Sequence, residues 1–181
     1  MDLVGHLDAL AAANRHGWAF LAGYGAGWLL CSLAWTRLGG RPAAYVTLFQ
    51  GLVSLPVALA LTALAPGPPR PSAPTVDLLS VMLATGQLLG LPVVAYLVMS
   101  GRDVLVPLGM VALLVVHLAP YSWLYRTPLY VVVGAVVPLV AVTLMRRAER
   151  EGGPGAEVGA GWVCRSTGVL LVTGAGVAAA L

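Results

Sequence analysis

Apolar residues fall in long runs, not in strict alternation or narrow stripes. A helix needs roughly 20 apolar residues to cross a bilayer. Six runs meet or approach that length: 17–36, 43–65, 76–99, 104–120, 128–145 and 158–181. Short segments holding most of the charges separate them. The pattern predicts an all-α polytopic membrane bundle of six transmembrane helices, forming a single transmembrane domain over residues 1–181. Residues 1–16 read differently. Leu3, Leu7 and Leu10 recur at helical spacing among Asp2, His6, Asp8, Asn14 and Arg15, which predicts a short interfacial N-terminal helix.

Prolines and small residues refine this picture. Residues 66–74 contain five prolines and cannot be helical, so they read as an extended, solvated linker. Pro56, Pro92 and Pro138 lie inside spans two, three and five and predict kinks there. In span one, Ala19, Gly23, Gly27 and Cys31 recur every fourth residue and make a helix-packing face. Trp18 and Trp35 bracket the same span, where interfacial anchors are expected.

Composition removes the soluble alternative. The chain is 59% hydrophobic and only 9% charged, whereas soluble domains carry about 25% charged residues. All of the basic residues are arginine, and with abundant Ala, Gly and Val this points to a GC-rich bacterial source and a bacterial plasma membrane. Apart from Arg165, the arginines lie outside the apolar runs and form no basic face, so the expected partner is the lipid bilayer and not nucleic acid. Connections one–two, three–four and five–six hold Arg37, Arg41, Arg102, Arg146, Arg147 and Arg150, whereas the other side holds Arg15, Arg70 and Arg126. Arginine excess marks the cytoplasmic side, so both termini are predicted to be extracytoplasmic. Arg165 then lies near the cytoplasmic end of span six, within snorkelling reach of the interface.

Few residues offer chemistry. Strongly polar side chains at membrane depth are costly and are natural candidates for function. Gln50, Gln87 and His117 qualify, with Asp77 at the start of span three. The sharper reading gathers His117, Asp77, Gln50, Gln87, Tyr121 and Arg126 into a ligand- or proton-binding pocket near the outer side, with Asp77 as the partner of an imidazole that titrates near neutral pH. The blander reading has His117 bonding a neighbouring helix, Gln50 and Gln87 bonding each other, and His6 and His16 solvated. Cys31 and Cys164 are far apart and lack metal-ligand spacing, so they read as packing residues. No metal, no cofactor and no catalytic residue is expected, since hydrolase, zincin and phosphate-loop motifs are all missing.

Polar, aromatic and rigid residues crowd only at 117–130. Pro120 ends or kinks span four, Pro128 presets the first turn of span five, and Trp123, Tyr125 and Tyr130 are candidate interfacial anchors. The sequence His117-Leu118-Ala119-Pro120, followed by Trp123-Leu124-Tyr125-Arg126 and Pro128-Leu129-Tyr130, resembles a corner in small uncharacterised bacterial multi-pass membrane proteins. That resemblance covers spans four and five and implies a membrane fold without naming a substrate. Three functions stay open: a small-solute or ion transporter or channel-like protein, a non-catalytic component pairing with a membrane protein partner or another copy, and an intramembrane enzyme using His117.

Overall fold

The structure is a computed structural model and describes residues 2–65, 67–150 and 152–181. Pro66 of the linker and Glu151 of the basic run lie outside the described residues. The helices are α1 (Leu3–Ala13), α2 (Trp18–Arg37), α3 (Gly40–Phe49), α4 (Gly51–Leu64), α5 (Pro74–Gly86), α6 (Leu91–Met99), α7 (Val106–Leu124), α8 (Leu129–Glu149) and α9 (Ala156–Ala180). Among the described residues there is no strand. Six helical stretches are long and apolar enough to cross a membrane. Most of their outward side chains, such as Leu52, Leu89 and Leu139, are exposed in the isolated chain. A surface of that kind fits hydrocarbon and not water. The protein is an all-α, multi-pass integral membrane protein.

Two spans are broken within their length. Span two is α3 and α4, joined at Gln50. Span three is α5 and α6, joined by a 3-10 turn over Gln87–Gly90. Pro92 stands just beyond that turn and contributes no backbone donor to it.

The tightest helix pair is α2 with α9. A Cβ placed on Gly168 would sit 2.9 Å from the Gly25 carbonyl oxygen, so the two backbones touch at a small–small crossing. Helix α8 packs on α9, α7 on α8, and α4 on α2. Gly23 faces Ala58 and Gly27 faces Ser54, so the small-residue stripe of span one is covered by span two. Ala19, Gly23, Gly27 and Cys31 are all buried. Span three is attached mainly through α6, which meets α7 and α3, while α5 makes only slight contact with α7.

Span four runs further than the sequence predicts. Pro120 lies inside α7, and the helix continues to Leu124. A proline this near the end removes a single hydrogen bond, which the last turn tolerates. The stop comes instead at Arg126, which adopts the left-handed conformation at φ 51°. Thr127 N–H donates to the Ser122 carbonyl at 3.0 Å, and Arg126 N–H to that of Trp123 at 3.3 Å. This is a Schellman ending with arginine where glycine is usual. Span three ends in the same motif with Gly101 at φ 71°.

Helix α1 does not simply float at the interface. It buries His6, Leu7, Leu10 and Ala11. A left-handed kink at His16 and Gly17 turns the chain from α1 into α2. Gly17 is required there. Its φ is +76°, and an added Cβ would lie 2.6 Å from the Tyr125 ring.

Candidate functional site

Two adjacent hollows lie at the end of the bundle where α1, the proline-rich linker and the 117–130 corner meet. The outer one, a vestibule of about 530 Å³, is bounded by α1, α2, α4, α5, α7 and the linker. Its polar lining includes Asn14, Thr62, Arg70, Asp77, Ser80 and Tyr121. The inner one, about 40 Å³, lies deeper among the helices. Its polar lining is Tyr24, Gln87, His117 and the hydroxyl-bearing rings of Tyr121, Tyr125 and Tyr130. Phe20, Tyr121 and Tyr125 belong to both walls, so these three rings stand between the vestibule and the inner cavity. At ~10–15 Å³ of such space per water, the inner cavity has room for a few waters or one small ion.

Local sequence explains the arrangement. In α7, His117 and Tyr121 are one turn apart and stack edge-to-face at 5.1 Å between ring centroids. The Schellman turn reverses the chain and brings Tyr130 of α8 back beside them. Tyr121, Tyr125 and Tyr130 form a triangle with centroid separations of 5.9, 5.8 and 5.7 Å. Tyr130 donates a 2.6 Å hydrogen bond to the His16 carbonyl, and His16 Nδ1 donates at 3.1 Å to the Tyr125 carbonyl. These bonds fasten the α1–α2 kink to the corner. Burial pushes the Tyr125 phenol up to about 12, against the opposing pull of Arg70 and Asn14. It is therefore a neutral group at any physiological pH.

His117 is the one ring nitrogen pair in the inner cavity, and its Nδ1 is fully buried with no hydrogen-bond partner. A buried imidazole nitrogen without a partner is costly unless water or a ligand completes it.

The sequence-derived candidates divide. His117, Gln87 and Tyr121 come together at the inner cavity. Asp77 does not join them. It lines the vestibule and pairs with Arg70 of the linker at 3.2 Å, while Gln87 lies ten residues further along span three, or roughly 15 Å. Arg126 lies outside both hollows and pairs with Asp8 of α1 at 3.2 Å. Gln50 is buried against α2 beside Gly27, away from Gln87, so the two amides do not bond. Among the described residues, no three His, Cys, Asp or Glu side chains gather in metal-binding geometry.

A family model matches residues 7–152, and its description is a family of unknown function, DUF7010. The chain belongs to that family. No curated protein and no solved structure matches the chain. The matched region includes every residue named above as polar lining of either hollow. It leaves out α9, although α9 is the main packing partner of α2.

Several anchors expected at the headgroup layer are buried instead. Tyr125 and Tyr130 are 4% and 2% exposed because the Schellman turn folds them inward. Trp35 is 5% exposed and donates from Nε1 to Thr47 Oγ1 at 3.0 Å, because the short α2–α3 turn lays α3 over it. Trp18 is half-buried and Trp123 is exposed. His6 and His16 are not merely solvated, since His6 is buried and His16 bonds across to the corner. The linker is not wholly solvated either, since Arg70, Pro71 and Ser72 form vestibule wall.

Sequence reasoning missed Tyr24 and Ser80. Ser80 and Gln87 lie seven residues apart, which nearly returns to the same helical angle, and Asp77 one turn before Ser80 flanks that face. That polar stripe was legible in principle. Tyr24 stands in a run of glycine and alanine and carried no such signal.

Proposed function

We propose that the chain is a small-solute or ion transporter or channel-like protein, with its binding place at the inner cavity around His117. The observation that supports this reading is a partly polar vestibule separated only by the rings of Phe20, Tyr121 and Tyr125 from a deeper hollow with an unpartnered imidazole nitrogen. Imidazole, amide and phenol groups suit a proton, a small cation or a small neutral polar solute. Asp77 and Arg70 act at the entrance, and Gln87 and His117 at the binding place. The α5 half of span three is the natural moving part. It is lightly held, and the 3-10 turn at Gln87–Gly90 separates it from α6.

The arginine distribution supports an orientation in which the vestibule opens to the outer side of a bacterial plasma membrane with both termini outside. A reporter fused after Leu181 tests this, and a cytoplasmic signal reverses the direction. Two other roles have weaker footing. The stripe of span one faces Ala58 and Ser54 of the same chain, and Gly168 of α9 faces Gly25, so these small-residue contacts are already made within the chain. Among the described residues, the inner cavity lining has no carboxylate beside His117.

The direct test uses the full chain in liposomes loaded with a pH-sensitive dye, challenged in turn with proton, ammonium, potassium and sodium gradients, with a protonophore added for the last two so that cation movement drives a compensating proton flow. Wild-type flux above protein-free liposomes is expected for at least one of these. His117→Ala and Gln87→Leu are each expected to reduce it by about tenfold, the effect of losing one buried polar contact. Flux that is absent for all four refutes the proton and small-cation reading, and flux unchanged in both variants refutes the binding place at His117.

A further inference from the structure

At the opposite end of the bundle from the histidine cavity, a shallow groove of about 600 Å³ runs between α8 and α9. Its polar members are Arg147, Arg165, Trp162 and Ser166. Its remaining lining is apolar, from Val140 and Leu144 on α8 and Val169 and Leu170 on α9. Helix periodicity builds it. Trp162, Arg165, Ser166 and Val169 lie on one face of α9, and Val140, Leu144 and Arg147 on one face of α8.

The two arginines start at different depths. Arg147 is in the last turn of α8, whereas Arg165 is nine residues into α9, or about 13 Å along its axis. Helical side chains lean toward their own N-terminus. In these antiparallel neighbours that tilt brings Arg165 outward and Arg147 inward, and both line the same groove. Both are exposed, and among the described residues neither pairs with a carboxylate within 4.0 Å. An arginine nine residues inside a membrane helix and facing outward has to be neutralised or solvated from the bilayer side.

We propose that this groove is a binding site for an anionic glycerophospholipid, with the phosphate held by Arg147 and Arg165 and an acyl chain laid along Val140, Leu144, Val169 and Leu170. Charge complementarity selects the occupant. Two guanidinium groups match a phosphodiester that carries net negative charge, and a zwitterionic headgroup brings its own ammonium to oppose them. The apolar half of the groove, continuous with the basic half, suits a lipid and offers nothing to a free anion. Trp162 is half-buried in the same lining, at the level where indole prefers the headgroup region.

The test uses the purified full chain in detergent and measures lipid affinity by native mass spectrometry, with the thermal midpoint as a second readout. The probes are phosphatidylglycerol, phosphatidylcholine and inorganic phosphate. Wild type is expected to retain phosphatidylglycerol and gain thermal stability from it, with little response to the other two. Arg147→Gln with Arg165→Gln is expected to weaken phosphatidylglycerol binding by about tenfold or more, since each arginine contributes comparably near a surface. Arg37→Gln with Arg41→Gln removes the same charge elsewhere at this end of the bundle and should leave the affinity unchanged. If the arginine pair variant does not fold, Val169→Trp fills the acyl slot with both charges intact and should also weaken binding. The proposal is overturned by full affinity in the folded pair variant or in Val169→Trp, by equal loss in the Arg37 and Arg41 control, by equal response to phosphatidylcholine, or by inorganic phosphate reproducing the stabilisation.

Discussion

Spans one and six are packed as a soluble core would be, and span three is not. Half of the apolar window of span one and 44% of that of span six are buried, against 6% for span three. The difference lies in side-chain size at the crossing points. Gly25 and Gly168 let α2 and α9 touch backbone to backbone, with Trp28 and Leu171 filling the flanks. Span three has glycine too, but Gly90 meets only the flexible end of the Leu113 side chain and Gly86 faces open space. Its α5 half stands away from the bundle, and the vestibule occupies the gap. Without a hydrophobic drive between helices in lipid, close packing is what holds a span. A rigid frame and a loosely held wall are therefore written into the same chain, and the candidate site lies between them.

The sharpest way to break this comparison is to wedge the frame. Gly168→Val should cost about 3 kcal/mol or more, because its Cβ meets the Gly25 carbonyl, which cannot rotate away. Thermal unfolding in detergent measures it, and a loss under about 1 kcal/mol contradicts a backbone contact. Gly17→Ala comes next, at about 2 kcal/mol, from left-handed strain plus the collision with Tyr125. The same variant should loosen α1 from the corner, which limited proteolysis between α1 and α2 detects. Thr47→Val leaves the buried Trp35 N–H without its acceptor and should cost about 1–2 kcal/mol. A shift in the Trp35 indole resonance that is absent in the variant would identify the bond directly. The smallest effect belongs to the loose side. Asp77→Asn removes an ion pair whose members are 38% and 53% exposed, so stability should change by less than about 1 kcal/mol. If it costs as much as Gly168→Val, span three is not loosely held.

His117 illustrates how far the sequence could be read. Its position late in an apolar run marked it as unusual, and so did Gln87. Their convergence was not legible, because it depends on the rotation of span three, at its Gln87–Gly90 turn, relative to α7, which hydropathy does not encode. Asp77 was assigned to His117 because both fall near one membrane face. The linker decided otherwise by bringing Arg70 to it, a contact seven residues away in sequence. The aromatic corner misled in a different way. Tyr125 and Tyr130 have the composition of headgroup anchors, but the left-handed Arg126 turns them inward. A non-glycine residue in that conformation leaves no signature in sequence pattern.

The sequence alone determined that the chain is helical, crosses the membrane with six apolar runs and concentrates arginine in particular connections. Those properties follow from composition and period, which act locally and at every residue. Tertiary structure alone decided that α2 and α9 form the frame, that Gln87 and His117 face one cavity, and that Arg147 and Arg165 share one groove. Those depend on helix rotation and crossing, fixed by a few close contacts between residues distant in the chain. In a bilayer nearly every face of a span is apolar enough to point outward, so hydropathy cannot choose among rotations, and packing must.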